Sequence, residues 1–403
     1  MPVIVARQRD DPKAPAEPLL ATRPFILICL ATLFFYLSFY LILPIMPLYV
    51  ASLGGTPMQL GLIIGLFSAV AMVVRPPAGW IIDSRGSRLV LMAGMVIFLL
   101  ASLGYVLVRS VDGILALRVF HGLGMGLFPT AATVIVAELA PLARRGEAMG
   151  WFGIANSGGL IVGPALGPAL ASGIGYPTLF LLAAGVAALG CVCLLSTPDP
   201  RRAASRSRGL PRLQDLYSRD ALLPSAILLC LYIPYGIMVA FIPIIAVGRG
   251  LSNPGLFYVV YGVAVLLVRA QAGRLSDLYG RAAVILPGML LVSVAYLVMG
   301  LTSGVPGVLV GGAIYGLAFG SVQPALMALT ADRVPLAERG KAMGTFYFAW
   351  ELGITTGSTG AGLLLSLMDF PLMLLIGSAI PLIGAALSLK IRSAVLPTSS
   401  MSS

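Results

Sequence analysis

Charge is what this sequence has least of. Only 10% of its 403 residues are Asp, Glu, Lys or Arg, while 59% are apolar; soluble domains usually carry about 25% charged residues. A chain with so little polar side-chain material has none to spare for a hydrophilic catalytic domain. There is one histidine, His121, and no Gly-x-x-x-x-Gly-Lys-Ser/Thr loop to cradle a nucleotide's phosphates, so neither direct ATP drive nor enzymatic activity is expected. The four cysteines, Cys29, Cys191, Cys193 and Cys230, all fall inside apolar runs. Cys191-Val-Cys193 has no His or carboxylate beside it in sequence, so neither a disulfide framework nor a metal site is expected. The apolar runs lack the alternation of a membrane barrel, which excludes strands. No small-residue cleavage site follows a short apolar core near the N-terminus, so no removable signal peptide is expected.

What is present is apolar length. The mean hydropathy is +0.99, and the apolar residues are gathered in runs of about 20 or more, the length that crosses a bilayer as helix. Spans are expected near 25–50, 58–80, 89–108, 113–138, 147–172 and 177–196, then near 222–247, 254–273, 283–302, 307–331, 342–367 and 371–390. The fold class predicted is an all-α integral membrane protein, with twelve transmembrane helices in two pseudo-symmetric six-helix bundles. Its parts are a tail (1–24), an N-terminal bundle (25–196), a basic linker (197–220), a C-terminal bundle (221–392) and a second tail (393–403).

The net charge of +11 does not imply a nucleic-acid partner, because the basic residues sit in short loops between apolar runs. Of the 26 basic residues, 21 fall on the side that holds both termini and two, Arg109 and Arg249, on the other. Arg75, Arg118 and Arg269 remain within spans. This asymmetry predicts cytoplasmic termini. The partners expected are a lipid bilayer, a small-molecule substrate and protons, and the protein is expected to be a monomer in a bacterial or archaeal plasma membrane.

The chain is also a repeat. Arg75, Gly79, Asp83 and Gly86 recur 194 residues later as Arg269, Gly273, Asp277 and Gly280, and residues 141–150 recur at the same offset as 335–344. An even number of spans per half makes the copies parallel, related by an axis along the membrane normal.

On these features the chain resembles the major facilitator superfamily over nearly its full length. The signature Gly79-x-x-x-Asp83-x-x-Gly86-x-Arg88 lies between spans two and three, and Gly273, Asp277, Gly280 and Arg281 form a degenerate second copy. The resemblance implies a cytoplasmic gate in which Asp83 contacts the start of span eleven in the outward-facing state. Span four carries Arg118-Val-Phe-His-Gly122, similar to the family's Arg-x-x-Gln-Gly with His121 in the Gln place; proton coupling through Arg118 is implied. Span five carries Gly159, Gly163-Pro164 and Gly167, similar to the helix motif of the twelve-span drug:proton antiporter group, with Pro168 in place of its last Gly. Leu43-Pro-Ile-Met-Pro47 in span one resembles another exporter feature. The group implies export driven by the proton gradient, with no other cofactor.

Beside the resemblance, the residues point to a site. Glu351 is the one carboxylate deep in a span. A buried carboxylate is a natural proton carrier, so Glu351 is a candidate for binding a proton or a cationic substrate; a charge balanced by an intraprotein arginine or amide is the alternative. Tyr36 and Tyr40, with Phe34, Phe35 and Phe39, are candidates for a cavity wall or for packing. Arg75 and Arg269 lie eight residues before their Asp, about 12 Å along a helix, and either snorkel to the inner face or join a gate network. His121 either titrates or serves as a neutral hydrogen-bonding substitute. The function expected is secondary active transport by alternating access, as proton-coupled efflux of a small amphipathic or hydrophobic compound. The alternatives are a proton-coupled importer or facilitator of a metabolite, and a non-transporting sensor, scramblase or channel.

Overall fold

A computed structural model describes residues 22–140, 144–197, 217–335 and 338–391. Most of the expected linker, nearly all of both tails, and the loop residues 141–143 and 336–337 lie outside the described residues. Segments without water must satisfy their own backbone hydrogen bonds, and the apolar runs do so as helices. In the first half these are α1 (Arg23–Ile42), α2 (Met46–Ser52), α3 (Pro57–Arg85), α4 (Ser87–Leu107), α5 (Val111–Leu139), α6 (Arg145–Ile174) and α7 (Tyr176–Leu195). In the second they are α8 (Leu222–Gly248), α9 (Gly255–Tyr279), α10 (Ala282–Leu301), α11 (Val305–Asp332), α12 (Arg339–Leu364), α13 (Phe370–Gly377) and α14 (Ala379–Ser388).

Local chemistry sets the boundaries. Pro44 and Pro47 break the first span into α1 and α2, as expected where proline removes a backbone donor. Thr56 and Gln59 form a reciprocal cap on α3, and Ser110 and Asp369 cap α5 and α13 through the amides of Gly113 and Leu372. Gly86 and Gly280, the paired turn glycines, have φ of 90° and 88°, a region open to glycine and strained for other residues.

Ten helical segments among the described residues are long and apolar enough to cross a membrane, and an eleventh is α9, bent by 43° near Arg269. The one remaining expected span, the eleventh, is α12, whose 26 residues are long enough to cross but dilute their apolar character with glycine, threonine and Glu351.

The packing pattern is duplicated. In the first half α1 packs on α6 and α7, and α5 packs on α3 and α4. In the second, α8 packs on α12 and α14, and α11 packs on α9 and α10. The halves meet along two matched seams. In α3 a Cβ on Gly61 would lie 2.3 Å from the Ser358 carbonyl oxygen of α12. Its counterpart 194 residues on, Gly255 in α9, would place one 2.8 Å from the Pro164 carbonyl of α6. Ser358 and Pro164 are themselves separated by the same offset. Both seams lie at the end of the bundles remote from the Gly86 and Gly280 turns, and close it.

Candidate functional site

Toward the turn-bearing end the two halves diverge around a cavity of about 1380 Å³. Its wall is built from the middle of α3 and α9, the C-terminal halves of α5 and α11, the N-terminal halves of α6 and α12, and parts of α1 and α8. The molecule is therefore caught open on one side and shut on the other. The wall is mostly apolar and aromatic: Tyr36 and Tyr40 contribute from α1, Tyr235 from α8, Tyr261 from α9, Phe319 from α11 and Trp350 from α12. Tyr235 and Phe319 stack with centroids 5.2 Å apart.

At the junction of the halves sits Glu351, 5% exposed. The Arg75 Nη2 donates to its Oε1 at 2.6 Å, and the Ser68 hydroxyl donates to its Oε2. Ser68 and Arg75 are seven residues apart on α3, two turns along one helix face, so one face of the N-terminal half serves both oxygens of a carboxylate from the C-terminal half. A lone carboxylate in so dry a place would be strongly disfavoured; paired and hydrogen-bonded, it is tolerated. The Arg75 guanidinium also lies 5.9 Å from the Tyr347 ring centroid. Arg75 thus bridges the bundles.

A different cluster lies deeper in the N-terminal bundle. Arg118 and His121 are fully buried. The Arg118 guanidinium lies over the rings of Phe67 and Tyr105 at 5.2 and 5.9 Å, and none of its nitrogens has a hydrogen-bond partner among the described residues. The His121 Nδ1 is 3.2 Å from the Tyr105 hydroxyl, while its Nε2 is unpartnered among the described residues.

The Major Facilitator Superfamily sequence profile matches residues 28–270 and 255–401, nearly the whole chain. This chain belongs to the Major Facilitator Superfamily. An uncharacterized MFS-type transporter of Methanocaldococcus jannaschii is 25% identical over 339 residues, 81% of this chain and 87% of that protein. The quinolone resistance protein NorA of Staphylococcus aureus is 23% identical over 180 residues, 44% of this chain and 46% of its own length. A crystal structure of a POT family transporter in complex with 5-aminolevulinic acid superimposes with a TM-score of 0.79 at 16% identity, over 91% of this chain and 95% of that one, which establishes the shared fold.

Within this superfamily member the expected site residues separate into groups. Glu351, Tyr36 and Tyr40 line the cavity. Arg118 and His121 do not: the outermost residue of α5 in the wall is Met125, one turn inward of His121, and Phe67 stands between them and the cavity. They lie beyond its closed floor.

A Cβ on Gly79 or Gly273 would meet nothing within 4 Å, so these turn glycines face open space in this state. Asp83 lies in the last turns of α3, with its side chain outside the described part of the structure. Arg88 donates to the Thr197 carbonyl at 2.7 Å, tying its turn to the end of α7. Arg281 donates to Asp332 at 3.0 Å and also pairs with Asp277. The motif glycines of span five pack helices: added Cβ atoms on Gly159, Gly163 and Gly167 would lie within 2.7 Å of α1 atoms, and Pro164 supplies the carbonyl of the second seam. Gly353 and Gly357 seat α12 on α8 in the same way.

Sequence reasoning left open the pairing of Arg75 and did not single out Ser68 or Gln323. The signal available was electrostatic: an arginine within one span and a lone carboxylate within another, on opposite halves of a repeat.

Proposed function

We propose that this transporter is a proton-coupled exporter of small amphipathic or hydrophobic compounds, working by alternating access between two six-helix bundles. The reading places the bundles at 25–196 and 221–392, with α12 as the eleventh of twelve spans and the basic segment 197–220 joining them. The arginine-rich, turn-bearing face is assigned to the cytoplasm, so the observed conformation is inward-open. The protein is taken as a non-enzymatic monomer of a bacterial or archaeal plasma membrane.

The observation that carries the reading is the Arg75–Glu351 ion pair across the floor of an aromatic cavity. A carboxylate held by the opposite bundle links protonation to the relation between the bundles. Deprotonated, Glu351 attracts Arg75 and favours the inward-open arrangement. Protonated, it loses that attraction, and the balance moves toward the outward-open one. A proton taken up from outside and released inside is then exchanged for a substrate moving the other way, because both ligands bias one equilibrium. The partial likeness to the quinolone resistance protein supports the export direction.

Everted vesicles with an imposed pH gradient test the proposal. Wild-type protein accumulates an amphipathic probe in response to the gradient. Glu351→Gln binds the probe but does not respond to the gradient, and Asp83→Asn binds it and turns over slowly. Gradient-driven accumulation by Glu351→Gln at the wild-type rate would refute the assignment of the proton site.

A further inference from the structure

The 194-residue repeat gives each position in one half a counterpart in the other. Arg75 corresponds to Arg269, and Glu351 corresponds to Ser157. The first arginine has its carboxylate. Where the second would find one, α6 presents a hydroxymethyl group. Both Arg269 and Ser157 line the cavity. The hydrogen-bond partner of the Arg269 guanidinium is the Gln323 Oε1 at 3.3 Å, and among the described residues Arg269 makes no ion pair.

The charges in the wall are correspondingly unequal. Arg75, Arg269 and Lys341 face one carboxylate, Glu351, and that carboxylate is already held by Arg75. Lys341 likewise makes no ion pair among the described residues. Beside Arg269 the wall is aromatic. Phe319 lies one turn deeper than Gln323 on α11, Tyr261 two turns deeper than Arg269 on α9, and their rings are 6.0 Å apart by centroid. An aromatic wall of two tilted rings therefore ends at a guanidinium that has a neutral amide, and among the described residues no carboxylate, as its partner.

Resting on the reading of this cavity as the transport site, we infer that its substrates are amphipathic organic anions: an aromatic or apolar body with one carboxylate or comparable oxyanion, which takes on Arg269 the place that Glu351 takes on Arg75. The body lies against Phe319 and Tyr261. The planar guanidinium fork receives the oxyanion in two parallel hydrogen bonds. A cationic substrate meets the reverse arrangement, since Arg75 already holds the carboxylate that would attract it.

The test uses three probes of one shape: naphthoate, naphthamide and a naphthylmethyl-trimethylammonium cation. Binding to the purified full-length protein is measured by calorimetry, and uptake by everted vesicles with the same three. Naphthoate is expected to bind roughly tenfold or more tightly than the other two, the scale of a charge-assisted pair. Arg269→Gln is expected to bring naphthoate down to the affinity of naphthamide. Ser157→Glu is expected to do the same by supplying the missing carboxylate from within, with a melting temperature no lower than wild type. Glu351→Gln, which releases Arg75, is expected to keep or raise naphthoate affinity.

Equal affinity for naphthoate and naphthamide, preference for the ammonium probe, or full naphthoate binding by Arg269→Gln would each overturn the inference. If Ser157→Glu does not fold, Arg269→Gln carries the same decision, because it removes the cation without adding bulk. Transport of the ammonium probe in preference to naphthoate would overturn the anion assignment and leave the exporter standing. Naphthoate binding that depends on Arg269, with no protein-dependent uptake of any probe, would support the anion site and refute the exporter.

Discussion

Arg75 and Arg269 occupy the same place in two copies of one sequence, and they have different surroundings. Arg75 is held at 2.6 Å by a carboxylate from the opposite bundle; Arg269 leans on a glutamine of its own bundle at 3.3 Å. The glycine–carbonyl seams on which α3 meets α12 and α9 meets α6 are matched, although α9 bends by 43° near Arg269 and α3 runs through Arg75 without such a break. The sequence difference opposite them is glutamate at 351 against serine at 157. A repeated frame with one asymmetric charge suits the proposed exchange of two unlike ligands, with one half-site for a proton and the other for the substrate.

The comparison can be broken most severely at Glu351. Glu351→Ala leaves Arg75 without its partner, and removing one member of a buried pair costs about 3–5 kcal/mol. Because Arg75 is 25% exposed to the cavity, the loss in melting stability is expected at the low end of that range, together with complete loss of gradient-driven transport. A double exchange, Glu351→Ser with Ser157→Glu, moves the ion pair into the other half-site. It is expected to recover roughly 1–2 kcal/mol of the loss, within the span of coupling energies for contacting residues, as read from a double-mutant cycle of unfolding.

Next come the seams. Gly61→Ala places a Cβ 2.3 Å from a carbonyl oxygen, and Gly255→Ala places one at 2.8 Å. Overpacking of this kind costs about 1–3 kcal/mol, here only in the conformation in which the seam is closed. Both variants are expected to shift the population toward the outward-open state, Gly61→Ala further than Gly255→Ala, as read by spin-label distances across the outer ends of α3 and α12. The smallest effect is expected at Arg281. Its partners Asp277 and Asp332 are exposed, and exposed ion pairs are worth about 0–1 kcal/mol. Arg281→Ala is expected to change melting by less than the seam variants and to lose even that difference in high salt.

The architecture was legible because its signals are local or strictly periodic. Apolar run length marked the spans, and the constant offset between Asp83 and Asp277 marked the halves. Glu351, Tyr36 and Tyr40 were legible as well, since a polar or amphipathic side chain deep in an apolar run faces either a cavity or a partner. Arg118 and His121 carry the same local signal, yet they lie on the far side of Phe67. How deep the cavity reaches along α5 depends on where α3 and α12 touch, and nothing near residue 118 records that. The Arg75–Glu351 pair joins residues 276 positions apart; the repeat made each conspicuous without saying that they meet. The eleventh expected span, α12, is poorer in apolar side chains because it brings Lys341, Thr345 and Glu351 to the cavity.

The glycine–carbonyl seams have one more consequence. The two ends of this protein are closed by different physics. The end shut here is held by van der Waals contact and a hydroxyl–carbonyl hydrogen bond from Thr355 to Gly65, and among the described residues no ion pair crosses it there. The open end carries the arginines and aspartates of the repeated turns. Once Glu351 is protonated, opening the first separates no ion pair, so its rate should be nearly indifferent to ionic strength, whereas closing the second brings charges together and should slow as salt screens them. A transport cycle recorded over a range of salt concentrations would then respond in only one of its two gating steps, and that step identifies the door on the turn-bearing face.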